Sequence, residues 1–96
     1  MKLVLIVFHF EYTAIIEALL DRHGIADYVR HPMIEGKDAD GKHFGTQVFP
    51  GNSSVVQAQV AAEKIDALFE ELGEFRRSKP AHHHLQALVL PIERQL

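Results

Sequence analysis

The sequence predicts an α+β domain: a four-stranded antiparallel sheet with two helices on one face. Three observations point there. A six-residue apolar run, Leu3 to Phe8, opens the chain with no polar alternation, which is how a strand buried on both sides reads. Two later stretches switch to the helical period of 3.6 residues. Shorter alternating or apolar runs stand between and after them, so the order is β, α, β, loop, β, α, β.

Each element has its own signal. Leu3–Phe8 is the first strand. Tyr12, Ile15, Ile16, Leu19 and Leu20 then fall at i, i+3, i+4, i+7 and i+8, one face of a helix. Glu11 and Glu17 suit its start, Arg22 and His23 suit its end, and Gly24 is a suitable cap. Ile25 to Met33 reads as the second strand, and Pro32 confines it to an edge or ends it early. Ile34 to Asn52 is a long glycine-bearing loop, with Asp38-Ala39-Asp40-Gly41 as a turn signal and room for a hairpin. Ser54 to Val60 is the third strand: Val56, Ala58 and Val60 share one face, Gln57 and Gln59 the other, where the glutamines need partners. Ala61, Ile65, Leu68, Leu72 and Phe75 mark the second helix, which Gly73 weakens by about 1 kcal/mol and Pro80 ends. Leu85 to Leu90 is the last strand, stopped by Pro91.

Two helices crossing on the same side of such a sheet, with right-handed connections, give the ferredoxin-like βαββαβ arrangement, with strands one and three central. The other face is then apolar and uncovered in one chain, which predicts self-association. All 96 residues are read as one domain, 1–96.

Composition removes several functions. The net charge of −3 argues against a nucleic-acid partner. With no cysteine there is no disulfide, thiolate metal site or cysteine nucleophile. The apolar run is too short for a membrane span or a secretion signal, so a cytoplasmic protein without membrane insertion is expected. No nucleophile–base set stands out, so an enzyme is not expected. Seven histidines would turn the negative charge positive if all were protonated.

The triplet His82-His83-His84 is the strongest chemical signal. On a strand, His82 and His84 would share a face and could chelate Zn²⁺, Cu²⁺ or Ni²⁺, with His43 or Glu35 of the loop as a further ligand. The competing reading is a solvated polar turn, or an anion site beside Arg76, Arg77 and Lys79. Asp38 and Asp40 lack the spaced glutamate of a Ca²⁺ loop. Phe44 and Phe49 flank a polar centre and suit either a partner-binding flap or a packed hairpin.

The opening Lys2-Leu3-Val4-Leu5-Ile6-Val7, the helix end Leu19-Leu20-Asp21-Arg22-His23-Gly24-Ile25, and the close Leu88-Val89-Leu90-Pro91-Ile92-Glu93 together resemble the PII-like signal-transduction proteins, whose terminal signature is Val-Leu-Pro-Val-Glu. The resemblance implies a homotrimer with sheets packed inward and ligand clefts between subunits. It implies that the 34–52 loop corresponds to the T-loop and reports ligand state to a transporter or enzyme partner. The candidate ligand-binding residues are His9, Glu35, Lys37, His43, Gly45, Arg77, Lys79 and Arg94. The segment from Arg77 to His84 contains no glycine, which counts against the nucleotide that many such proteins cradle there. Two other functions fit the same scaffold: a histidine-based metal-binding protein, and a small α+β-barrel oxygenase-type enzyme using His9 or the histidine triplet.

Overall fold

A computed structural model describes residues 1–34, 36–38, 41–43 and 53–96. Its elements are β1 (Lys2–His9), α1 (Thr13–Arg22), β2 (Tyr28–Ile34), β3 (Gly36–Asp38), β4 (Gly41–His43), β5 (Ser53–Val60), α2 (Ile65–Ser78) and β6 (Gln86–Pro91). The main sheet has the order β2-β5-β1-β6, every neighbouring pair antiparallel. This is the ferredoxin-like arrangement, with β1 and β5 central. β3 and β4 form a separate two-stranded hairpin in which Asp38 pairs with Gly41, as the turn signal there suggests.

β1 is central because it is apolar on both sides. Val4, Ile6 and Phe8 point into the core, against Val56, Ala58 and Val60 of β5 and beneath both helices. From α1, Ile16, Leu19 and Leu20 are buried; from α2, Leu68 and Leu72. Ile15 lies off this stripe and is 48% exposed, contrary to the periodicity.

Several boundaries differ from those expected. Each helix is preceded by a short 3₁₀ turn, Phe10–Tyr12 and Ala62–Lys64, so the helices start later than the apolar periods suggest. Ile25 is buried in the core but not in a strand; β2 begins at Tyr28. The chain turns into it through Gly24, whose φ of +71° an L side chain rarely adopts. β2 is the edge strand that Pro32 requires, and its register against β5 shifts between His31 and Ile34.

Polar contacts tie the helices to each other and to the sheet. Glu17 accepts from Arg30 Nη1 at 2.9 and 3.3 Å, joining α1 to β2. Glu71 of α2 accepts from Arg22 and lies 2.7 Å from His23 Nε2, joining the end of α1 to the middle of α2. Hydrogen bonds from Arg22, then from His23, hold the Glu71 carboxyl below the ordinary glutamate range. A lowered folded-state pKa means stability that is fully present above the unfolded value of about 4.3 and is lost as the pH falls through the lowered one. With 31% of the side chain exposed, solvent screens the cluster. Glu71→Gln is expected to cost about 1 kcal/mol at pH 7. In urea melts, the gap from the unsubstituted chain should close near pH 2; an equal gap at both pH values would exclude this linkage.

Among the described residues, no helix covers the second sheet face. Its rows follow the register: Val29, Gln57, Leu5 and Leu88 across the middle, and His31, Val55, Val7 and Gln86 beside them. Val29 is 52% exposed, Leu88 55% and Leu90 45%. The two glutamines find partners within the chain. Gln57 Oε1 lies 3.3 Å from His31 Nε2, and Gln59 Oε1 accepts from Gln95 of the tail.

Candidate functional site

One end of the sheet gathers the chain's chemistry. β1 ends there at His9, opposite Ser53, the first residue of β5. β2 ends there at Ile34, also paired with Ser53. β6 starts there, with Gln86 opposite Val7. The base of the 34–52 segment, the His9 turn and the α2–β6 turn therefore meet at one edge.

His9 is tied to the backbone that follows it. Its Nδ1 accepts from the Glu11 N–H at 3.3 Å and caps the first 3₁₀ turn. Capping requires a lone pair on Nδ1, so the neutral ring carries its proton on Nε2. The ring lies 5.9 Å from Tyr12, edge-on, and 4.8 Å from exposed Phe10. Burial, and secondarily the carboxylate of Glu11, pushes the Tyr12 phenol upward from its ordinary pKa, so it stays protonated at neutral pH.

The histidine triplet does not lie on a strand. Pro80 opens a 3₁₀ turn, Pro80–His82, and β6 begins only at Gln86. The expectation that His82 and His84 share a strand face is therefore corrected. His82 is a core residue, 6% exposed. It stacks on Phe75 at 4.0 Å with the planes 9° apart, and meets Tyr12 edge-on at 4.6 Å. Its Nδ1–H donates to the Phe75 carbonyl at 2.8 Å, where Ser78 Oγ also donates at 2.7 Å. That carbonyl lies in the last turn of α2, and His82 closes the helix end. Tyr12 and Phe75, absent from the sequence-derived site, are what hold it. Their only sequence signal is membership of the two helical apolar stripes.

The remaining candidates divide. Arg77 and Lys79 are exposed at the end of α2, beside this edge. The Arg77 guanidinium lies back along the helix, where a Cβ on Gly73 would stand 3.0 Å from it, a contact that this exposed side chain can relieve by moving. Lys37 and His43 are placed by hairpin register, Lys37 opposite Lys42 and His43 opposite Gly36. Glu35 and Gly45, with the Phe44–Phe49 flap, lie outside the described residues. Arg94 follows β6, whose Pro91 pairs with Lys2 at the other end of β1. Seven strand residues, about 24 Å, separate that end from His9. Within one chain Arg94 thus follows the end of the sheet opposite His9 and the α2–β6 turn.

Among the described residues no three His, Asp or Glu side chains form a metal-holding group, and no helix is long and apolar enough to cross a membrane. A shallow depression of about 390 Å³ lies on the open sheet face between Leu3, Tyr28, Val29, Gln57 and Gln59, away from the His9 edge.

No family model and no curated protein matches the chain. Solved structures do. CPII, a nitrogen regulatory PII-like protein from Thiomonas intermedia K12 bound to ADP, AMP and bicarbonate, superposes with a TM-score of 0.78 at 21% identity, over 95% of this chain and 90% of its own. A PII-like signalling protein from Thermus thermophilus gives 0.66 at 20%, over 92% and 82%. A DUF3240 family protein from Shewanella baltica OS155 gives 0.71 at 14%, over 98% and 92%.

Proposed function

We propose, starting from the PII-like fold that this sequence-divergent chain carries, that the protein is a regulator and not an enzyme: a homotrimer that binds a small ligand between subunits and signals through residues 34–52. The observation that supports this best is the meeting of the loop base, His9 and the α2–β6 turn at one edge, while Arg94 follows the other end of the sheet, a strand length of about 24 Å along β1 from His9. Only a neighbouring copy can bring an Arg94 to that edge. A site shared between copies explains why each chain holds an incomplete set.

Assembly has a physical drive. The open face carries Leu5, Val7, Val55, Leu88 and Leu90 side by side, and a contiguous apolar patch of this kind marks an interaction surface. Covering it with copies contributes about 25 cal/mol for each Å² of apolar surface removed from water. Ligand binding at the edge would bias two arrangements of the 34–52 segment. A transporter or enzyme would read the difference.

The ligand is an anion met by Arg77, Lys79 and the neighbour's cation. ADP, AMP and bicarbonate, named for CPII, are the first to try. Against a nucleotide stands the glycine-free turn from Arg77 to His84, which restricts close backbone approach to phosphate.

Light scattering should give about three times the 10.9 kDa chain mass. In a thermal-shift panel, a ligand at 100 times its Kd should add about 2.7 kcal/mol, a shift on the order of 10 °C. Arg94→Ala should remove that shift and leave the mass unchanged. A single-chain mass together with no response to any anion would end this reading.

A further inference from the structure

The three histidines part company after α2. His82 enters the core, whereas His83 is exposed and His84 half-buried in the turn that precedes β6. We propose that this turn binds a divalent transition-metal ion that favours imidazole, Cu²⁺ before Ni²⁺ or Zn²⁺, through Nε2 of His83 and the imidazole of His84. The site needs no second chain; it shares the α2–β6 turn with Lys79 of the proposed anion site but does not depend on that reading.

The geometry at His83 supports a ligand role. Its Nδ1–H donates to the Pro80 carbonyl at 2.6 Å. The neutral ring therefore carries its lone pair on Nε2. A backbone carbonyl on the opposite nitrogen is how metal-ligating histidines are oriented and made more basic. The carbonyl itself is held in place by the 3₁₀ turn, in which the His83 N–H donates to the same oxygen at 3.2 Å.

His84 supplies the second nitrogen. Its ring centroid lies 3.9 Å from that of His83, with the planes tilted by 38°. Given metal–nitrogen bonds near 2.0–2.1 Å, two neighbouring nitrogens stand about 2.9 Å apart on a tetragonal Cu²⁺ and about 3.4 Å apart on a tetrahedral Zn²⁺. Rings this close can each turn a nitrogen toward one ion. The turn is also rigid: Arg76 Nε donates to the His83 carbonyl at 3.2 Å, and the Leu85 N–H to that of His82 at 3.1 Å.

The same surroundings limit the site. Arg76 brings positive charge toward a cation, and the described residues provide no group of three His, Asp or Glu donors. The ion then keeps exchangeable positions filled by water or a small anion. Imidazole pairs with open coordination favour Cu²⁺ by the Irving–Williams order.

The test uses the full chain titrated with Cu²⁺ and Ni²⁺ at pH 7.5, followed by calorimetry and by electron paramagnetic resonance for copper. One ion per chain is expected, with hyperfine coupling to imidazole nitrogen. Loss of an outer-shell partner alone costs 10–100-fold in affinity, so His83→Ala and His84→Ala should each weaken binding at least about tenfold. His82→Phe should keep it. In the unsubstituted chain, substoichiometric Cu²⁺ should first broaden the amide resonances of residues 82–85, which decides the matter even if a variant folds poorly. Broadening centred elsewhere, or full affinity in the double variant, overturns the proposal.

Discussion

Leu88→Glu is expected to convert the proposed three-chain assembly into single chains. Leu88 sits on edge strand β6, opposite Leu5 of β1, and is 55% exposed in one chain. It belongs to the row that runs through Gln57 and Val29. If copies cover this face, every interface receives a carboxylate with no cation in its row. Burying an unpaired ion costs several kcal/mol, and symmetry repeats the cost in each copy. A lone chain bears no comparable penalty, because the side chain there already meets water. Ile15→Glu is the matched control: Ile15 is similarly exposed, at 48%, but lies on α1, away from the open face. Light scattering should report a fall to the single-chain mass for Leu88→Glu and no change for Ile15→Glu. An unchanged mass for Leu88→Glu would mean that the open face is not where copies meet.

Phe8→Ala is expected to cost about 3–5 kcal/mol of folding stability, the usual loss when a buried aromatic is truncated. Phe8 is 2% exposed at the end of central strand β1, opposite Ser54, itself 1% exposed. Both neighbouring strand and helix layers would face the cavity, and a hydrogen-bonded sheet centre relaxes poorly into one. Domains of this kind have only about 5–15 kcal/mol in total, so the variant should be close to unfolding at room temperature. The urea midpoint should fall steeply while the slope stays constant. Val7→Ala, one residue earlier on the open face, removes less buried surface from a lone chain and should cost less in an unassembled background such as Leu88→Glu. Equal losses at both positions would contradict the one-sided core.

The architecture is readable because it rests on periodicity. The apolar run of β1, the alternation of Val56, Ala58 and Val60, and the helical stripes each report which side of an element meets the core. Pro32 announces an edge strand, and the structure puts β2 at the edge. Boundaries are less readable. Ile25 reads as strand because burial and strand look alike in a short apolar stretch, and Ile15 reads as core because a helical period specifies a stripe but not its width.

The site is legible only in outline. Alternation predicts that His82 and His84 share a face, but only if the strand has begun by residue 82. Pro80, pre-set for a 3₁₀ turn, places those residues in a turn, and the ring of His82 finds Phe75 and Tyr12 instead. Nothing local to the triplet announces those partners, which are 7 and 70 positions away in the chain. The same holds for Glu71, whose partners Arg22 and His23 end a different helix.

By itself, then, the sequence determined the order of elements, the central place of β1 and the existence of an uncovered apolar face. These follow from local spacing and from the geometry of crossovers. Only the tertiary structure decided which histidine is core and which is surface, which end of the sheet collects the candidate residues, and that Arg94 stands at the opposite end. Those depend on contacts between residues far apart in the chain, and no local pattern encodes them.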